Sequence, residues 1–146
     1  MWKFNGVELK DEDIPKKALG FIYRITHEDG KWYIGRKNLD MAATRTVKGI
    51  KKKYRKPSDW KDYWSSSPAL LAEIEENGKD KYSREILIFC ETKASIAYGE
   101  EYCLFITGAL FDPNCYNGNI RAKIMRSWFL KTPLFQKELE ALNLNH

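Results

Sequence analysis

From Gly20 to Arg36 the chain reads GFIYRITHEDGKWYIGR, two short apolar-rich stretches around a polar turn. Phe21–Ile25 and Trp32–Ile34 have strand character, and His27-Glu28-Asp29-Gly30 between them carries an Asp-Gly pair, a strong short-range hairpin signal. Side chains alternate across a strand, so Phe21, Tyr23 and Ile25 share one face while Ile22 and Arg24 take the other. Each strand carries a tyrosine in a hydrophobic frame, and pairing can bring Tyr23 and Tyr33 together. Core or cross-strand packing accounts for such a pair on pattern alone.

The periodicity then changes. Lys37 to Asp59 is polar, basic and poor in apolar repeats, and within it TRTVKGIKKKYR has the form of a protruding second hairpin turning at Lys48-Gly49. Ser67-Pro68 has the residue types of a helix cap and first helical position; Leu70, Leu71 and Ile74 are expected to form the apolar stripe, and Asn77-Gly78 to end the helix. Tyr82–Cys90 alternates and predicts a third strand. A second helix is expected from about Ala94 to Leu110, broken by Asp112-Pro113-Asn114, then a loop at Tyr116-Asn117-Gly118. A last helical region, Ile120 to Leu130, and an amphipathic tail, Leu134 to Leu142, are expected to close the chain. Residues 1–19, interrupted at Ile14-Pro15, read as an N-terminal extension. The order predicts a small α+β domain: a three-stranded, mostly antiparallel sheet flanked by helices, with a basic arm and a C-terminal helical extension (119–146) packed on the same domain.

Composition narrows the chemistry. With 146 residues, 43% hydrophobic and 14% aromatic, the chain is long enough to bury a core and is not low-complexity. No apolar run approaches the roughly 18 residues of a membrane span. Acidic residues stand near the start where a signal peptide would be apolar, so a cytoplasmic location is expected. Three cysteines without Cys-x-x-Cys spacing, and only His27 and His146, assemble no familiar zinc site. The same scarcity excludes an HNH nuclease and argues against a Ser-His-Asp hydrolase. Net charge is +5, and the excess is local: Arg45 to Lys61 holds eight Lys or Arg against one Asp. Arg45, Lys48, Lys51, Lys52, Lys53, Arg55 and Lys56, interleaved with Tyr54 and followed by Trp60, Tyr63 and Trp64, form the footprint of a phosphate-backbone partner. A solvated basic loop would carry the same charge.

Phe21-Ile22-Tyr23 and Tyr33-Ile34-Gly35 resemble the paired motif of the GIY-YIG nucleases. The resemblance continues in order through Tyr63-Trp64-Ser65-Ser66, a helix ending at Asn77-Gly78, Tyr82-Ser83-Arg84-Glu85-Ile86-Leu87, a helix glutamate and Tyr116-Asn117. It covers about residues 20–118, with an extension expected to Leu130, and is similar in particular to the small phage-encoded Seg-type endonucleases, free-standing relatives of homing enzymes. The resemblance implies a three-stranded sheet with flanking helices and hydrolysis of a DNA phosphodiester, duplex DNA being the expected partner. It also implies a divalent cation, Mg²⁺ first and Mn²⁺ second. Such an ion prefers oxygen ligands and often takes one or two carboxylates plus substrate phosphate. Glu100 aligns with the family's helix glutamate and is the expected metal ligand, with Glu101 as runner-up. Tyr23 resembles the tyrosine assigned as general base, which needs nearby positive charge because a free phenol titrates near 10. Tyr33 would position water or a phosphate oxygen, and Asn117 would steady the site through its amide. The chain departs from the family where a helix arginine is expected about ten residues beyond the second tyrosine. Arg36 with Lys37 beside it is the favoured substitute, and Arg45 the alternative. Two other readings stay open: a binding protein that kept the fold without cleavage, and an interaction module with a basic loop.

Overall fold

A computed structural model describes residues 1–120, 124–130 and 133–134. Its order is β1 (Trp2–Phe4), β2 (Val7–Glu8), β3 (Gly20–His27), β4 (Trp32–Asn38), β5 (Asp40–Val47), β6 (Ile50–Pro57), α1 (Pro68–Asn77), β7 (Tyr82–Cys90), α2 (Lys93–Ile106), β8 (Asn119–Ile120) and β9 (Ile124–Met125). The principal sheet has five strands, in the order β2-β1-β7-β3-β4, rather than the expected three. The three expected strands form its antiparallel β7-β3-β4 side, with β3 between the other two: Tyr23 lies opposite Gly35 on β4 and opposite Ile86 on β7. The extra strands come from the N-terminal segment, where Trp2, Lys3 and Phe4 pair in parallel with Arg84, Glu85 and Ile86. A run of three residues carries too little periodicity to announce a strand; β7 offers it an unpaired edge, and the Trp2 side chain anchors it.

That anchor is extensive. Trp2 is buried, meets Phe21 and Tyr23 edge-on at centroid distances of 5.1 and 5.4 Å, and donates its indole N–H to the Trp60 carbonyl at 2.8 Å. Arg84, also buried, lies between Trp2 and Trp64, its guanidinium carbon 4.5 and 4.2 Å from the two rings. It donates to the carbonyls of Lys61 and Tyr63, and burial lowers its pKa.

Alternation along β3 divides the core as expected. Phe21, Tyr23 and Ile25 join Leu70 and Ile74 of α1 on one face; Ile22 joins Ile34, Ile96, Cys103 and Leu104 beneath α2 on the other. Leu71 departs from its expected place in the α1 stripe. Leu70 and Ile74 are four residues apart and share a face, whereas Leu71 is turned about 100° from Leu70 and is exposed. Ser67 accepts the Leu70 N–H at the start of α1, and Thr92 with Ser95 forms a reciprocal cap on α2. The α2 helix ends at Ile106, short of Leu110; Gly108 takes a left-handed conformation and a 3-10 turn follows over Ala109–Phe111.

The expected second hairpin is the separate β5–β6 ribbon, which begins earlier than the motif, at Asp40. Where a helix was expected over Ile120 to Leu130, the described residues form the β8–β9 pair and a 3-10 turn over Arg126–Phe129. Arg126 explains part of the difference: its guanidinium donates to the carbonyls of Ala109, Asp112, Cys115 and Asn117, ties that hold this segment against the loop. Apart from Pro133 and Leu134, the tail beyond Leu130 lies outside the described residues. Among the described residues no helix is long and apolar enough to cross a membrane.

Candidate active site

β4 is the edge strand of the sheet, and the residues singled out from sequence gather around it. Tyr23 and Tyr33 project from the same face because they are diagonal neighbours across the β3–β4 ladder, with ring centroids 6.2 Å apart. Gly35 makes room for them: a Cβ there would lie 2.5 Å from Tyr23 Cζ and 2.9 Å from Tyr33 Cε1. The Tyr63 ring closes over Tyr23 edge-on at 6.0 Å. Tyr33 Oη and Ser66 Oγ are 3.4 Å apart.

Tyr23 is inaccessible to solvent, and among the described residues its hydroxyl has no hydrogen-bond partner. Burial, followed by the neighbouring Tyr33 and Tyr63 phenols and by Glu100, raises its pKa far above the ordinary phenol value. Burial likewise raises Tyr33, with a smaller contribution from Glu100 and a partial offset from Ser66. Both phenols are therefore protonated at neutral pH, and neither is poised as a phenolate.

Arg36 and Glu100 lie on the helix side of the same edge. Gly99 sets their spacing: a Cβ there would sit 3.1 Å from Ile22 Cγ1, so α2 rides close on β3. Glu100 follows and meets Arg36, Oε2 to Nε 3.9 Å, with the two side chains 19% and 34% exposed. Both are thus reachable from solvent. Although the phenols are on the opposite face, only the backbone of an edge strand separates the two sides at Gly35, and Glu100 acts on both phenols electrostatically.

The other expected residues fall outside this group. Lys37 pairs with Asp59 at 2.5 Å and sits 4.0 Å above the Tyr63 ring, on the tyrosine face rather than beside Glu100. Arg45 lies on the ribbon, 5.3 Å above the Tyr54 ring. Residues 40–47 are a strand, so the segment where the family's helix arginine was sought has no helix. Asn117 is buried with its amide against the β4 backbone: Oδ1 accepts the Ile34 N–H at 2.9 Å and Nδ2 donates to the Ile34 carbonyl at 2.8 Å. The preceding loop covers the same edge, since Trp32 N–H donates to the Asn114 carbonyl and Tyr116 N–H to the Trp32 carbonyl. Asn117 thereby fixes the residue between Tyr33 and Gly35.

Sequence reasoning missed the supports of this cluster. Tyr63 was read as an aromatic beside the basic arm and Ser66 as part of a motif, and Arg126 was not singled out, although it grips the carbonyl side of the Asn117 loop. A lone Arg after a Gly-containing loop carries no signal of its own. For a metal, the described residues contain no group of three or more His, Cys, Asp or Glu able to hold an ion. The donor set offered is one accessible carboxylate, Glu100, which suits a hard cation that completes its shell with water and substrate phosphate. Cys90, Cys103 and Cys115 are buried thiols whose pKa values burial raises.

A family model described as "Putative endonuclease segE, GIY-YIG domain" matches residues 2–120. That span covers most of the chain, including the N-terminal strands and Asn117. The chain belongs to the GIY-YIG nuclease family and is of the Seg type. No curated protein and no solved structure matches it.

Proposed function

We propose that this chain is a metal-dependent DNA endonuclease that hydrolyses a phosphodiester bond at the β4 edge. The observation that carries the reading is the edge strand at Gly35, with Tyr23 and Tyr33 packed on one face and the Arg36–Glu100 pair on the other, three of these residues from one hairpin and the fourth from α2. Phosphodiester hydrolysis requires an activated water, stabilisation of charge on the phosphoryl oxygens and help for the leaving alkoxide. A divalent cation, Mg²⁺ in first place, would be held by Glu100 and would supply Lewis acidity and acidification of bound water. Arg36, already beside Glu100, is the cation that binds a phosphate oxygen. Tyr23, protonated at neutral pH and closed off from solvent between Tyr33 and Tyr63, supports the site by packing rather than as a ready-made base, and Tyr33 with Ser66 orients the attacking water or a phosphate oxygen. Asn117 positions these groups by holding the strand, and the ribbon contributes affinity for DNA. The setting that fits a Seg-type chain is a free-standing, homing-type phage enzyme acting in the host cytoplasm.

A second reading is a nucleic-acid-binding protein without cleavage, favoured by the absence of a helix in residues 40–47 that could carry an arginine to the site. One experiment separates the two. Supercoiled plasmid is incubated with the protein and Mg²⁺ or Mn²⁺, alongside EDTA controls and the Glu100→Ala and Tyr23→Phe variants. Nicking or linearisation by wild type that EDTA and Glu100→Ala each reduce at least 100-fold is the expected result. Undiminished cleavage by Glu100→Ala would remove that residue as the ligand. Inactive wild-type protein that still binds DNA would leave the binding reading.

A further inference from the structure

The β5–β6 ribbon stands apart from the principal sheet, and its tip takes no part in the site at Gly35. All eight β6 residues are exposed. The register assigns every side chain to a face: Arg45 opposite Lys52 on one, Thr46 opposite Lys51 and Thr44 opposite Lys53 on the other. Cations therefore project from both faces. A ribbon lying flat on a single phosphate backbone needs them on one. At the root the arrangement differs, because Arg55 is engaged by Asp40. Arg45 directly across from Lys52 is a like-charge pair, which costs an isolated hairpin stability and is relieved by an anionic partner. The tip is apolar. Lys48 and Gly49 turn with φ of 50° and 76°, leaving Val47 opposite Ile50, and Ile50 is 63% exposed.

The dimensions select a groove. Packed sheets lie about 10 Å apart, so a single ribbon with side chains on both faces is about 10 Å thick, which matches a major groove about 12 Å wide and exceeds a minor groove of about 6 Å. At roughly 3.3 Å per residue, a groove about 8.5 Å deep admits two to three residues of each strand. With the Lys48-Gly49 turn and the Val47–Ile50 pair at the floor, Arg45 and Lys52 on one face and Lys53 on the other come level with the rim, where the phosphates are.

The geometry points to tip-first insertion of β5–β6 into the major groove of duplex DNA, with Arg45 and Lys52 facing one phosphate backbone, Lys51 and Lys53 the other, and the Lys48-Gly49 turn with Val47 and Ile50 nearest the base edges. This rests on the nucleic-acid reading above but not on cleavage. The test is equilibrium binding of the full chain to a mixed-sequence 30-bp duplex in EDTA, read by fluorescence anisotropy over a salt series. Wild type is compared with Arg45→Ala/Lys52→Ala and with Lys51→Ala/Lys53→Ala. Each double variant is expected to reduce the slope of log K against log salt by about 1.8, since each phosphate that is no longer neutralised takes away about 0.9. Methylating guanine N7, in the major groove, is expected to weaken binding at least 10-fold, whereas methylating adenine N3, in the minor groove, leaves it unchanged. A slope that responds to only one pair, or to neither, overturns the insertion, as does interference confined to adenine N3 or a wild type that binds no duplex. A parallel plasmid assay keeps the two readings apart. Cleavage with unaltered slopes removes the ribbon alone, and altered slopes without cleavage remove the nuclease alone.

Discussion

Asn117→Ala tests whether the amide of Asn117 acts on the strand. In the native fold it exchanges two hydrogen bonds with Ile34, and its oxygen also accepts from the Cys115 thiol at 3.3 Å. Each amide bond contributes about 1 kcal/mol net, and a buried backbone group left without a partner costs about 1–3 kcal/mol. Ile34 lies on an edge strand, so water can partly replace the missing partners, and the expected destabilisation is about 2–4 kcal/mol. Urea unfolding followed by tryptophan fluorescence measures it. Asn117→Asp sharpens the test, because it keeps an acceptor for the Ile34 N–H but turns an anionic acceptor toward the Ile34 carbonyl. Burial and that carbonyl raise the folded pKa of the new carboxyl above its unfolded value of about 3.9. The unfolded state then binds fewer protons than the folded state, so the variant loses stability as pH rises through the folded pKa and regains it below about pH 4. A deficit below about 0.5 kcal/mol in Asn117→Ala, or a deficit in Asn117→Asp that does not shrink in acid, would refute the strand clamp. Loss of cleavage at unchanged stability would assign the amide to the substrate instead.

Three further outcomes follow from the same packing. Trp2→Ala removes a buried indole from Phe21, Tyr23 and Arg84 and is expected to cost about 3–5 kcal/mol, read as a lower urea midpoint; a change within 0.5 kcal/mol would mean that β1 is dispensable. Gly35→Ala forces Tyr23 and Tyr33 apart, with a stability loss of about 1–3 kcal/mol and a fall in plasmid cleavage larger than the fraction unfolded accounts for. Stability is expected to decline above about pH 10, because unfolded phenols ionise there while Tyr23 and Tyr33 stay protonated in the fold, so the unfolded state binds fewer protons. Urea melts between pH 9 and 11 measure the decline, and Tyr23→Phe should flatten it.

The sequence by itself determined the local matters. Period-two alternation placed Tyr23 and Tyr33 on strands joined at Asp29-Gly30, the Ser67-Pro68 cap located the start of α1, and Lys48-Gly49 marked the ribbon turn, because each is set by residues a few positions apart. The order of motifs carried the family. Tertiary structure alone decided which cation stands beside Glu100, since Arg36 and Lys37 are adjacent in the chain and alternation sends them to opposite faces, one to α2 and the other to Asp59 and Tyr63. It also decided that Trp2 extends the sheet, that the Tyr23 phenol is held neutral, and that Asn117 grips Ile34 across 83 positions. Those outcomes depend on which surfaces meet and how much water they exclude, quantities that no stretch of neighbouring residues contains.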